Sequence, residues 1–269
     1  MTEAVVSPHS LTFTPDCHSF IAGSDSVIST FDLSRPGQEP FSSLRTGPLR
    51  KRANWYDPST SIRGIVSALA LEPASKILAA GTFRRHVGLY DAAGQGDCIG
   101  VFSVEGTQAD KHIGGSGITQ ACWTPCGRYL YIAERKSNGV ILYDIRQTGQ
   151  LLGWLDGRNA NTNQRLGIDV VATDQQGGHE VWAGGLQGMV RVWKSAHERE
   201  GAVTPTFEWQ GHEGSFLCFC RHHNHTKPRQ MPWQVLLCIT LAMWLQLLQD
   251  SATFGQATKT RKTHKIHKS

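Results

Sequence analysis

The residues of this chain with the clearest chemistry are cations set between apolar runs. Arg84 and Arg85 precede His86, Arg135 precedes Lys136, and Arg165 ends the polar string Thr162-Asn163-Gln164-Arg165. A further basic group, Arg50, Lys51 and Arg52, lies just before Trp55 and Tyr56. Guanidinium and ammonium groups neutralise phosphate, amides such as those of Asn163 and Gln164 can read base edges, and aromatic rings stack on unpaired bases. The set suits contact with unpaired RNA. The same residues also suit an ordinary solvated surface, and each basic group taken singly leaves that alternative open.

Other chemistry is thin. There is no phosphate-binding loop, no dinucleotide fingerprint and no nucleophile elbow. Gly114-Gly115-Ser116-Gly117 precedes an apolar strand rather than a helix, which fits a turn better than a phosphate cradle. Asp169, Asp174 and Glu180 have no partners placed for acid–base work. No catalytic set, and hence no enzyme, is expected. Cys218, Cys220, His222, His223 and His225 are soft ligands crowded into eight residues, whereas a closed zinc site needs two ligand pairs separated by a loop. No metal and no cofactor is expected.

The elements that must position the basic groups are short strands. Gly114 to Arg146 shows the unit: strand residues Ile118, Ala121 and Trp123, the turn Thr124-Pro125-Cys126-Gly127, and a second strand through Tyr129, Tyr131 and Ala133. A charged turn from Glu134 to Gly139 leads into Val140-Ile141-Leu142-Tyr143, closed by Asp144. Strands separated by turn residues make a β-meander, which needs neighbours of its own kind to bury its faces. Leu11-Thr12-Phe13-Thr14-Pro15-Asp16 begins a first copy that ends at Phe31-Asp32. Ile65 to Asp91 is a second and Ile168 to Lys194 a fourth. A fifth opens at Phe207-Glu208-Trp209-Gln210-Gly211-His212 and stops. The run Leu33 to Arg63, with Pro36, Pro40, Pro48 and Pro58, reads as a long basic connector.

The formal net charge is +5, yet Lys259, Arg261, Lys262, Lys265 and Lys268 supply five positive charges within the last eleven residues. The rest is near neutral, so overall charge by itself does not argue for a nucleic-acid partner. Eight Trp suit a β-protein rich in aromatic strand positions. Met1 to Asp16 lacks the apolar core of a secretory signal, and the seven Cys are expected to be reduced and intracellular. Trp233 to Leu248 is apolar but shorter than the roughly 20 residues that span a bilayer. The repeat pattern stops near Ser215. Residues 1–214 are expected to form the repeat domain, and 215–269 an unrelated apolar and basic tail, disordered or derived from a retained intron.

Strands ending in Phe31-Asp32, Tyr90-Asp91, Tyr143-Asp144 and Trp193-Lys194, with Gly211-His212 beyond, resemble WD40 repeats. The closing pairs are 59, 53 and 50 residues apart, against roughly 40–45 for a typical WD40 blade, and loop insertions account for the excess. The fold class expected is all-β, an incomplete WD40 propeller with about four recognisable blades and the start of a fifth. A full ring has about seven. Ser61-Ile62-Arg63-Gly64-Ile65-Val66-Ser67, Gly81 to Tyr90, Asp144-Ile145-Arg146-Gln147-Thr148-Gly149 and Thr162-Asn163-Gln164-Arg165 are similar, in that order, to the telomerase Cajal body family of WD40 proteins. That resemblance implies a non-enzymatic RNA-binding adaptor. Its partners would be small nuclear RNAs of the Cajal-body (scaRNA) and telomerase type, together with ribonucleoprotein proteins, and it would take no small-molecule substrate. It would work in the nucleus, in the Cajal body or nucleoplasm, with the cytoplasm also open. The alternatives are a general WD40 protein-interaction scaffold without RNA contact, and an adaptor anchored to membrane by Trp233 to Leu248.

Overall fold

A computed structural model describes residues 7–47, 61–173 and 177–211. They form four antiparallel sheets of successive strands. The first sheet is β1 (Ser10–Phe13), β2 (Ser19–Ser24), β3 (Val27–Asp32) and β4 (Ser42–Arg45). The second is β5 (Val66–Leu71), β6 (Leu78–Thr82), β7 (His86–Tyr90) and β8 (Cys98–Ser103). One helix, α1 (Gln108–Ile113), precedes the third sheet. That sheet is β9 (Ile118–Trp123), β10 (Tyr129–Glu134), β11 (Val140–Asp144) and β12 (Leu151–Leu155). The fourth is β13 (Ile168–Ala172), β14 (His179–Gly184), β15 (Met189–Lys194) and β17 (Phe207–Gln210), and β16 (Gly201–Val203) leaves it to pair in parallel with β12. Successive four-stranded meanders are the blades of an incomplete WD40-type propeller.

The blades are made alike because their turns are alike. In each, the first turn closes with an amide-to-carbonyl bond: Thr14 to Ser19, Glu72 to Ile77, Thr124 to Tyr129 and Thr173 to Gly178, at 2.9–3.0 Å. In the two Thr-Pro turns the hydroxyl also accepts from the far strand, from Ser19 N at 3.1 Å and from Tyr129 N at 3.2 Å. Asp32 and Asp144, which close their third strands, accept the amides of Ser34 and Arg146 at 2.8 and 3.0 Å.

Two expectations are refined. The connector read from Leu33 onward contains a strand, β4, because Ser42-Ser43-Leu44-Arg45, between Pro40 and Pro48, is free of proline and pairs with β3. The segment read as the opening of a fifth unit is β17, the outer strand of the fourth blade. Each of the four units read from the sequence therefore covers the first three strands of a sheet and omits its outer strand.

The core lies between blades. Ile21 and Ile28 meet Val66, Leu78 and Tyr90. Val87, Leu89 and Phe102 meet Leu130, Ile132 and Tyr143. Tyr131 and Leu142 meet Val181 and Trp193. The first strands are also stitched to one another. Ser10 Oγ donates to Val66 O at 2.7 Å and Ser67 Oγ to Ile118 O at 2.5 Å. Gln120 exchanges two bonds with the backbone of Ile168, both 2.8 Å.

Candidate nucleic-acid interface

Antiparallel alternation sorts the turns. Those between second and third strands, and the connections from one blade's outer strand to the next blade's first, fall on one rim. Arg84, Arg85, Arg135 and Lys136 sit in the former; Asn163, Gln164 and Arg165 sit in the latter. The connector holding Arg50, Lys51 and Arg52 also joins β4 to β5, but those three lie outside the described residues. Its described ends meet at this rim, where Ile62 N donates to Thr46 O at 2.7 Å and Ser26 N to Gly64 O at 3.0 Å.

At each second-to-third turn one non-glycine residue takes a left-handed backbone: Ser26 (φ 56°), Arg85 (65°), Lys136 (52°) and Gln187 (63°). In the second and third blades these turns carry Arg84-Arg85 and Arg135-Lys136, whereas those of the first and fourth carry Asp25-Ser26 and Leu186-Gln187, so the cations belong to two neighbouring blades.

The centre of the rim is Phe83. Its half-buried ring lies 4.6 Å from the guanidinium carbon of Arg135 and 5.9 Å from that of Arg165, so two cations from different loops face one aromatic ring. Arg135 is fixed by Nε donating to Ser116 O at 3.2 Å, and Arg165 by Nη2 donating to His9 O at 3.2 Å. Gly117 (φ 149°) lets the backbone pass beneath, since a Cβ there would lie 3.1 Å from the ring and 3.2 Å from Arg135 Nε. Arg84 is exposed and lies along Gly64 (φ 93°), where a Cβ would come within 3.0 Å of its side chain. Lys136, Asn163 and Gln164 are exposed, and Lys136 N donates to Thr162 O at 2.9 Å. The structure thus brings Arg135, Arg165 and Phe83 together, with Arg84, Lys136, Asn163 and Gln164 on the same rim.

Arg85 is placed differently. Its guanidinium is held by Glu134 at 2.8 Å and Asp110 at 2.6 Å, tying the second blade to α1 and the third blade. Burial pushes the Glu134 carboxyl above its ordinary range even though Arg85 opposes it. Asp110 is less enclosed: burial pulls it upward, but Arg85 and the Gly106 amide leave it below the usual value. The side chain of Arg85 is spent on this junction, which also supports the rim because Glu134 Oε1 accepts from Gly117 N at 3.2 Å.

Sequence reading passed over two residues of this rim. Phe83 stands directly before Arg84-Arg85 within the string noted above, and an aromatic beside a cationic turn was the available signal. Arg158 had no local signal. It is fully buried and donates to the carbonyls of Gly184 (3.1 Å), Leu166 and Gly167 (3.3 Å), which fixes the loop carrying Asn163 to Arg165. Burial lowers its pKa to about 10.

The chain is 33% identical over 188 residues to guanine nucleotide-binding protein negative regulator 1 of Schizosaccharomyces pombe, a match covering 70% of this chain and 43% of that protein. It is 31% identical over 191 residues to telomerase Cajal body protein 1 of Rattus norvegicus, and 30% identical over 191 residues to that of Homo sapiens. Each match covers 71% of this chain, and 31% and 30% of those proteins. The chain is a WD40 homologue of these proteins. No protein-family model matches it. This WD40 chain spans less than half the length of the relatives it matches. Among its described residues no helix is long and apolar enough to cross a membrane, and no group of three or more His, Cys, Asp or Glu is placed to hold a metal ion. The ligand-type cluster Cys218 to His225 and the apolar run Trp233 to Leu248 lie outside the described residues.

Proposed function

We propose that this WD40 adaptor binds small nuclear RNA, of the type assembled in Cajal bodies or with telomerase, on the rim around Phe83, and directs it into ribonucleoprotein assemblies in the nucleus. The observation that carries the reading is the placement of Arg135 and Arg165 against Phe83. Two fixed guanidinium groups hold phosphates, and the neighbouring ring and guanidinium planes give an unpaired base a surface to stack on. Arg84 and Lys136 extend the phosphate track, and Asn163 and Gln164 reach base edges. Arg85 acts by positioning, through Glu134 and Gly117. The names of the rat and human relatives support the choice of RNA class. The reading treats residues 1–214 as the functional unit and involves no catalysis.

Crosslinking in cells followed by sequencing of the bound RNA tests it. Small nuclear RNAs are expected to be enriched over a charge-matched control protein. Replacing Arg84, Arg135 and Arg165 together by Ala is expected to abolish that enrichment while sheet content is unchanged. Unchanged capture by the triple variant excludes this rim.

A protein-interaction platform without RNA contact is the second reading. It is favoured by the fission-yeast relative, whose name describes regulation of a guanine nucleotide-binding protein. Absence of any enriched RNA, with a protein retained through the same rim, would select it.

A further inference from the structure

The rim continues beyond Phe83 onto α1. The connection from β8 to β9 joins one blade's outer strand to the next blade's first, so it falls on the same rim as Arg84, Arg135 and Arg165. A helix of six residues is too short to stand alone, and α1 is held at both ends. Thr107 Oγ1 accepts the amide of Asp110 at 3.2 Å and donates to Val104 O at 2.8 Å. Asp110 is tied to Arg85, and Ile113 O accepts from Asn138 N at 2.8 Å. Ala109 and Ile113, one helical turn apart, bury one face. Gln108, Lys111 and His112 share the exposed face.

The imidazole of His112 is set by what lies beneath it. It stacks on the indole of Trp154 in β12, centroids 5.0 Å apart and 15° from parallel. Trp154 is only 4% exposed and packs in the core with Ile113 and Ile141. Its indole N–H is buried and makes no hydrogen bond among the described residues, so the ring is placed for shape rather than for a polar partner. The result is a flat, exposed ring on a fixed support.

The turn from Arg135 to Gly139 connects this ring to Phe83. Arg135 lies over Phe83, and Asn138 is bonded to the last residue of α1. The backbone from Arg135 to Asn138 spans at most about 11 Å, so both rings fall within one short stretch of single strand. Lys111 and Lys136 are exposed on the two elements that meet there and supply charge for phosphates.

We propose that His112 is a second stacking platform of the rim and takes an unpaired base of the same RNA on its outer face. The proposal rests on the reading of the Phe83 rim as an RNA site. An imidazole already parallel to a buried indole loses little freedom when a base joins the pile. Stacking is tolerant of sequence, so this platform adds affinity and length to the site, whereas Asn163 and Gln164 read base edges.

Filter binding of a single-stranded RNA of about 16 nucleotides, selected from a random pool on the wild-type chain, tests this. His112→Ala is expected to weaken binding by roughly 5- to 100-fold, and His112→Phe, which keeps a ring, to stay near wild type. The slope of log affinity against log salt is expected to be the same in both variants as in the wild type, because no phosphate contact is lost. Thermal unfolding verifies that His112→Ala keeps the blades. Crosslinking needs no variant: iodouracil-substituted RNA is expected to attach to His112 of the wild-type chain as well as to Phe83. Full binding by His112→Ala, with Arg135→Ala and Arg165→Ala weakened, overturns the second platform and leaves the Phe83 rim standing. So does a crosslink at Phe83 without one at His112. A loss in His112→Phe equal to that in His112→Ala, or a shallower salt slope in either, overturns stacking as the contact. A wild-type chain that selects no RNA overturns both readings.

Discussion

Replacing Arg85 by Met tests the junction beneath the rim. Arg85 and Glu134 keep only 12% and 1% of their side-chain surface exposed, and their ion pair is 2.8 Å long. Met fills similar volume but removes the cation, leaving Glu134 enclosed with the Gly117 amide at 3.2 Å as its remaining hydrogen-bond partner among the described residues. Stranding one member of a buried pair costs roughly 3–5 kcal/mol, and Asp110 also loses its 2.6 Å contact. With a urea slope of about 2–3 kcal/mol/M for a domain of this size, the unfolding midpoint should fall by roughly 1–2 M, read by tryptophan fluorescence. Adding Glu134→Gln removes the stranded charge. The double variant should recover part of the loss, giving a coupling of at least about 2 kcal/mol in the cycle. The sign with pH is fixed. Burial already raises the Glu134 pKa, and losing Arg85 raises it further. Its folded form then favours the proton, so the penalty of Arg85→Met is smallest below about pH 4 and grows as pH rises through the raised value. A loss under about 1 kcal/mol at pH 7, or a penalty that grows on acidification, would refute the reasoning.

Three further outcomes are expected. His179 is buried between Tyr131, whose hydroxyl lies 2.9 Å from Nε2, and the stacked ring of His197, and its pKa is pushed down to about 4 by burial first and by His197 second. The unfolded chain takes up that proton near pH 6.5, so about 3 kcal/mol of stability should drain away between pH 6.5 and 4; His179→Phe should flatten this part of a urea-midpoint profile. Arg158→Met leaves the carbonyls of Gly184, Leu166 and Gly167 without their donor, and should cost about 2–4 kcal/mol and speed proteolysis between Gly157 and Gly167. Gly139→Ala drives a methyl into the carbonyl of Leu155 and the side chain of Ile113, and a loss of about 1–3 kcal/mol in thermal unfolding is expected.

The blades were legible because period-two patterning and the turns repeat. Thr14-Pro15 and Thr124-Pro125 announced the same hairpin, and Tyr90-Asp91 and Tyr143-Asp144 marked the same strand end. The outer strands were harder. Ser42 to Arg45 has one apolar residue in four and sits among prolines, so its identity comes from pairing with β3 rather than from composition. Arg84 and Arg85 are adjacent and looked equivalent. Their different fates depend on the left-handed backbone at Arg85, which turns it towards Glu134 in the third blade and Asp110 in α1. Long-range partners of this kind leave no local trace. The same holds for Arg158, whose acceptors are backbone carbonyls that any sequence supplies.

The excursion of β16 alters how the third and fourth blades come apart. An outer strand normally shows one unbonded backbone edge to water, and β4 and β8 do so among the described residues. β12 does not: β16 pairs along Gly153, Trp154 and Leu155 before the chain crosses back to form β17. The two blades are laced at their periphery by one continuous thread as well as packed at their faces. Peeling the fourth blade from its outer side therefore has to lift β16 off the third. Amide protons on this edge of β12 should exchange with solvent on the slow clock of both blades opening together, while the outward amides of β8 exchange on the fast clock of a fraying border.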